Sequence, residues 1–244
     1  MRNISRRELV NTGLAAAGIS GLGVAARLAQ KYGLIPPDHG GIYGAGETLT
    51  YAFQRLLTRH SLAREFPRSQ ISTLPFANDT PPLNEAFKRL QAGGFADWRL
   101  AVDGLVAQPA SFSLAQIKSY PSRSQITQLA CEEGWSYIAE WTGVPLAHVL
   151  SLVGVQPRAR YVVYFSIDPD WWDSMDMADA LHPQTILAYG MNGGELPVAF
   201  GGPLRMRVAR QLGYKNVKFI NRLTVTDSIK DFPPDGEYSW YAGI

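Results

Sequence analysis

The chain has 244 residues but only one cysteine, Cys131, and four histidines. A lone thiol cannot close an intramolecular disulfide, nor can it supply the paired thiolates of structural zinc or iron–sulfur sites. The C-x-x-C-H haem signature is excluded for the same reason, and no flavin motif is present. The apolar stretch Leu14–Ala26 spans 13 residues, short of the roughly 20 that cross a bilayer as a helix. A basic surface is also missing. Residues 1–29 hold Arg2, Arg6, Arg7 and Arg27 against Glu8, and without them 19 basic residues face 20 acidic ones. That balance offers nothing to nucleic acid. The glycines at 40, 41, 44 and 46 follow no strand-like run, so they do not make a phosphate loop. The chain has no internal repeat.

The residues that are present describe an ordinary globular domain with a leader. The chain is 46% hydrophobic and 18% charged, enough apolar content for a sizeable core that needs no disulfide staples. Ser5-Arg6-Arg7-Glu8-Leu9-Val10 ahead of the glycine-rich apolar stretch reads as a twin-arginine export signal. A loose small-residue cleavage pattern follows near Gly23-Val24-Ala25. Such export carries folded proteins, which suits a chain whose cofactor is installed beforehand, and it places the protein in the periplasm, membrane-associated where the signal is retained. Three parts are expected: the signal at 1–26, a lead segment at 27–72 and one domain at 73–244. In the lead segment, Leu49, Phe53, Leu56, Leu57 and Leu62 form a stripe that predicts a helix over Thr48–Glu65. Its apolar face either docks on its own domain or meets a membrane or partner subunit.

From Phe95 onward short β-like runs dominate. Strands are predicted at Trp98–Val102, Gln125–Ala130, Tyr161–Ile167, Leu204–Val208 and Asn221–Val225. Helices are predicted at Leu114–Ser119, capped by Ser113, and at Leu146–Val153. Two short helices are too few to cover a doubly wound parallel sheet, so the fold class is α+β with a mixed sheet. Asn192-Gly193-Gly194 lies between two strand-like runs and predicts a hairpin, because Asn and Gly tolerate positive φ.

On residue chemistry alone Cys131 is a nucleophile, one ligand of a metal held mostly by something else, or an inert buried thiol. Its surroundings, Cys131-Glu132-Glu133-Gly134-Trp135-Ser136 and then Trp141-Thr142-Gly143-Val144-Pro145-Leu146, resemble the sulfite oxidase family of molybdopterin-dependent oxidoreductases. The closer likeness is to the bacterial, exported branch that includes the periplasmic methionine sulfoxide reductase catalytic subunits. A second stretch, residues 182–228, repeats the family's order: an A-Y-x-M-N-G hairpin, Leu196-Pro197, Gly202-Pro203-Leu204-Arg205, then Gly213-Tyr214-Lys215-Asn216-Val217-Lys218.

The resemblance implies a molybdenum-binding pyranopterin domain with Cys131 as the protein's metal ligand. A soft thiolate suits a metal already held by dithiolene sulfur. It further implies that Arg205, Lys215 and Lys218 hold the pterin and its phosphate, with Asn78 and Asp168 as pterin neighbours. Tyr241, in Trp240-Tyr241-Ala242-Gly243, is implied as an active-site phenol able to act as proton donor.

Two departures from the family shape the functional expectation. Sulfite oxidases place an arginine where Ala77 stands here, and they carry a C-terminal immunoglobulin-like dimerisation domain that is absent from this chain. A sulfite dianion would then lack charge-assisted hydrogen bonds worth several kcal/mol in sum. The expectation is therefore oxygen-atom transfer with the metal cycling between +6 and +4, with reduction of an S-oxide or N-oxide favoured. The electrons would come from a separate protein, a membrane cytochrome. The alternatives are sulfite dehydrogenase-like oxidation, a non-catalytic pterin-binding protein, and a cysteine hydrolase using His148 or His182 as base.

Overall fold

The computed structural model describes residues 45–58, 60–78, 84–229 and 231–232. The twin-arginine segment, its cleavage pattern and Tyr241 lie outside the described residues. The chain forms two compact units, one containing helix α1 (Ala45–Thr58) and the other running from His60 onward. Along α1, Phe53, Leu56 and Leu57 are exposed, and the Arg55 guanidinium lies 5.2 Å from the Tyr51 ring. The helix predicted to reach Glu65 ends at Thr58. Beyond it the backbone hydrogen-bonds to a strand: Glu65 forms a bridge with Thr127, and the Phe66 amide donates to the Ile126 carbonyl at 2.9 Å. Those tertiary bonds outweigh the local helical pattern.

The second unit contains two sheets. Strands β1 (Arg99–Gly104), β2 (Ala110–Ser113), β5 (Tyr161–Ser166), β6 (Trp172–Asp176) and β10 (Ile220–Thr226) form one, in the order β2-β1-β10-β5-β6. Its one parallel pair is β1 with β10, in register from Ala101↔Arg222 to Gly104↔Val225. The other sheet is antiparallel. It contains β3 (Arg123–Ala130), β4 (Ser136–Pro145), β7 (Thr185–Met191), β8 (Gly194–Glu195) and β9 (Arg205–Val208), with β8 and β9 both paired to β7. The expected mixed α+β architecture is thus divided over two sheets.

The predicted strands all form, within a few residues of their expected ends. Helices α3 (Leu114–Ser119) and α4 (Leu146–Val153) span their predicted residues. Ser113 caps α3 in a reciprocal box: its hydroxyl accepts from the Gln116 amide, and the Gln116 side chain accepts from its own amide. Two further helices, α2 (Glu85–Ala92) and α5 (Met177–Ala180), complete the described elements. The β7–β8 hairpin turns at Asn192 (φ 52°) and Gly193 (φ 83°), as its sequence implies.

Period-two alternation gives the second sheet two buried faces. Leu187 of β7 and Met206 and Val208 of β9 join the large core, along with β1, β5, β10 and α4. Ile186 and Ala188 point the other way, to a smaller core with Leu129, Tyr137 and Trp141. On β9 that same alternation turns Arg205 and Arg207 toward Trp141.

Candidate active site

Cys131 directly follows β3 and opens the turn into β4. Its amide donates to the Trp135 carbonyl at 2.9 Å, and its carbonyl accepts from the Gly134 amide at 3.1 Å. Gly134 has a φ of 93°, which a glycine adopts without strain. Glu133 accepts from the Trp135 indole at 2.7 Å, and its carboxylate lies 3.7 Å from the Cys131 sulfur. The thiol is therefore presented by a tight, doubly tied turn. Gly213 crosses close beside it: a Cβ there would lie 3.3 Å from Cys131 Cα. A larger residue would press on the cysteine.

Cys131 faces a cleft of about 720 Å³, part of it open to solvent. Asn78, Asp168, Arg205 and Lys218, all expected at the site, line the same cleft. Among the lining residues not singled out for the site are Glu132, Trp135, Trp171, Tyr214 and Asn216. Lys218 donates to the carbonyls of Asn78 at 3.1 Å and Ala199 at 2.9 Å. Arg205 is buried and donates to the carbonyls of Asn216 and Phe200, each at 3.0 Å.

Lys215 is placed differently from the expectation. Its ammonium is buried against Asp173 at 2.5 Å and the Ser174 carbonyl at 2.9 Å, and it does not line the cleft. Lys215 closes the short 3-10 turn Gly213–Lys215 and Lys218 lies beyond it, so the two lysines of one motif face different surroundings. Arg207 is the residue that sequence reading missed. It is fully buried on β9, and its guanidinium donates to Asn216 Oδ1 at 2.8 Å, Thr127 Oγ1 at 3.0 Å and the carbonyls of Gln128 and Val208. The arginine two residues earlier on an alternating strand was the available signal.

The histidines do not serve Cys131. His148 packs against Tyr120, with ring centroids 5.3 Å apart. His182 is held by the Ser61 carbonyl at 3.1 Å and accepts from the Gln184 amide at 3.2 Å. Neither lines the cleft, so the cysteine-hydrolase alternative has no base. The electrostatics agree. Burial, with Glu132 and Glu133 nearby, pushes the Cys131 thiol up to about 11. A nucleophilic cysteine requires the opposite surroundings.

Such a thiol ionises at neutral pH only with added stabilisation of the thiolate, which a bound metal cation provides. Among the described residues no group of three or more His, Cys, Asp or Glu is arranged to hold a metal ion. A metal at Cys131 must then bring most of its own donors. Buried positive charge also stands in one wall of the cleft and behind it. Among the described residues neither Arg205 nor Arg207 forms an ion pair with a carboxylate, and Arg207 Nε has no hydrogen-bond partner. A soft donor together with buried cations that have no carboxylate partner fits a metal carried by an anionic organic cofactor.

The family model for the oxidoreductase molybdopterin binding domain matches residues 88–232. The chain belongs to this family. Its molybdopterin-binding domain contains the cleft, and the cofactor expected from the motifs is the one the family is described by. A protein of Azospira oryzae, provisionally named protein-methionine-sulfoxide reductase subunit YedZ1, is 38% identical over 189 residues, covering 77% of this chain and 70% of that one. The protein-methionine-sulfoxide reductase catalytic subunit MsrP of Xanthomonas campestris is 31% identical over 189 residues, covering 69% of this chain and 58% of its own length. The chain thus spans little more than half of that relative. The crystal structure of the sulfane dehydrogenase SoxCD from Paracoccus pantotrophus superposes with a TM-score of 0.53 at 22% identity, covering 69% of this chain and 46% of that one. The molybdopterin-binding oxidoreductase domain shares that fold.

Proposed function

We propose that this member of the molybdopterin-binding oxidoreductases is an exported enzyme that reduces a neutral S-oxide or N-oxide. The observation that carries the reading is the composition of the cleft: one thiol, two cations already engaged by carbonyls, and the carboxylates of Glu132 and Asp168. The names of the relatives support the S-oxide in particular. A sulfite dianion approaching Cys131 would come beside the carboxylate of Glu132, and charge repulsion there would oppose it.

The bound cofactor supplies two-electron redox chemistry with oxygen-atom transfer. The net reaction consumes the oxide, two electrons and two protons and releases the reduced compound and water. Cys131 holds the metal from the protein side through its thiolate. Arg205, Asn78 and Asn216 border the cofactor's space, and Trp135 and Trp171 add apolar rings to its wall. Protons come from phenols. Tyr241 is the donor implied by the motif, and Tyr214 lines the cleft itself. Burial, together with Asp173 and Glu132, holds the Tyr214 hydroxyl well above its ordinary value, so it keeps its proton at neutral pH.

Export through the twin-arginine route to the periplasm and reduction by a membrane cytochrome complete the reading. The deciding experiment compares dye-linked reduction of S-oxides and N-oxides with ferricyanide-linked oxidation of sulfite by the molybdenum-loaded protein. Oxide reduction with little sulfite turnover is expected. Efficient sulfite oxidation would reverse the assignment and favour the sulfite dehydrogenase alternative. Tyr241→Phe is expected to lower oxide turnover while leaving molybdenum content unchanged.

A further inference from the structure

Arg207 is a fully buried cation without a counter-ion. Its four hydrogen bonds run to a side-chain amide, a hydroxyl and two carbonyls, none of which carries charge. Arg205 lies on the same face of β9, and the two guanidinium carbons stand 5.5 and 5.4 Å from the ring of Trp141. Burial and the positive charge of Arg205 pull the Arg207 guanidinium down to about 9, so it remains charged at neutral pH. Burying one unpaired cation is costly, and burying two side by side is more so. A folded domain retains such a pair only where something offsets the charge.

The contacts show where that offset can come from. Asn216 binds both arginines: its carbonyl accepts from Arg205 Nε at 3.0 Å, and its Oδ1 accepts from Arg207 at 2.8 Å. Asn216 and Arg205 line the cleft, whereas Arg207 stands behind them. On its other side Arg207 donates to Thr127 and Gln128, on the strand that leads into Cys131. Its charge therefore lies behind the strand that carries the thiol and the loop that forms the opposite wall.

We propose that Arg207 is a positioning residue whose uncompensated charge, acting through Asn216 and alongside Arg205, places positive charge behind that wall of the cleft and retains the anionic cofactor there. Its hydrogen bonds set Asn216, and its charge attracts an anion that it does not touch.

The test reads metal retention rather than turnover, so it stands apart from the substrate assignment. Molybdenum-loaded wild type, Arg207→Lys and Arg207→Met are held at one temperature and desalted at intervals, and the molybdenum left on the protein is measured. Arg207→Met is expected to lose it about tenfold faster than wild type or more, as loss of a charged buried interaction requires, while Arg207→Lys stays near the wild-type rate. Wild-type retention in Arg207→Met overturns the proposal. So does loss from Arg207→Lys as fast as from Arg207→Met, which would leave Arg207 a hydrogen-bonding brace alone. Where Arg207→Met does not accumulate folded, the cofactor-free wild-type chain gives the answer. Inorganic phosphate should raise its Tm above that in chloride of equal ionic strength, and equal Tm values overturn the proposal.

Discussion

The Lys218 ammonium donates to the carbonyl oxygen of Asn78, 3.1 Å away and 140 residues earlier in the chain. One hydrogen bond thus closes the cleft between its first and last wall segments. Gly201 makes room for this lysine: at φ 104°, a Cβ there would lie 2.9 Å from Lys218 Cβ. Lys218→Met removes the tie and a cation together. Molybdenum content should fall, and Tm should drop modestly, since the half-buried bond is worth about 1 kcal/mol. Elemental analysis beside a thermal melt checks both, and full molybdenum content would leave Lys218 a purely structural clamp.

Replacing Cys131 with serine exchanges a soft donor for a hard one. Cys131→Ser should fold, because the turn is held by backbone bonds that the side chain does not make. Turnover should vanish, and the metal's X-ray absorption should show one sulfur fewer. An unchanged sulfur shell would remove Cys131 from the metal.

In the cofactor-free protein the same thiol titrates late. Its folded value is raised to about 11 from the ordinary 9.0, mainly by burial. The folded state therefore keeps a proton that the unfolded chain has already released, and the stability this contributes is present below pH 9 and lost as pH rises through 11. Alkylation by iodoacetamide at pH 8 should be slower than that of a free thiol and should accelerate toward pH 11. A fast reaction at pH 7 would show an activated nucleophile and revive the hydrolase reading.

Asp179 pairs with Arg210 at 2.5 Å, both side chains buried, and accepts from Gln211 at 2.8 Å. Its amide also caps onto Asp176 at 2.9 Å. Asp179→Ala removes one partner of this buried pair and the acceptor of Gln211, at a cost of roughly 3–5 kcal/mol. Denaturant unfolding should show that loss, and a change within about 0.5 kcal/mol would mean that Arg210 finds water or another acceptor.

Ala77 stands one residue before the cleft-lining Asn78. Restoring a cation there should improve sulfite as a substrate if charge is what excludes it. Ala77→Arg is expected to raise kcat/KM for sulfite while lowering it or leaving it unchanged for a neutral sulfoxide. Equal sulfite rates in both proteins would shift the cause of exclusion from charge to shape.

Much of this site is visible in the linear chain because its signals are local. Ser113 and Gln116 cap α3 from three residues apart, and Asn192-Gly193 turns a hairpin wherever it stands between strands. The strand β4 was not legible. Of its ten residues Tyr137, Ala139, Glu140, Trp141, Gly143 and Val144 are all buried, since it is covered on both faces, and that hides the period of two. Lys215 was misread for a related reason. Sequence places it three residues from Lys218, but it closes the Gly213–Lys215 turn while Lys218 lies beyond, and one ammonium meets Asp173 and the other the Asn78 carbonyl.

The sequence by itself determined the chemistry available: a single soft donor at Cys131, arginines and lysines following it in a set order, and turns that bring strands back on themselves. These follow from side-chain type and from φ preferences, which act within a few residues. Which cation serves the cleft was decided only by the tertiary structure. The pairing of β9 with β7, Ala188↔Arg205 and Ile186↔Arg207, puts both arginines against Trp141, and the crossing of Gly213 beside Cys131 sets the width of the site. Those are relations between segments dozens of residues apart, fixed by burial of the two cores, and no local preference encodes them.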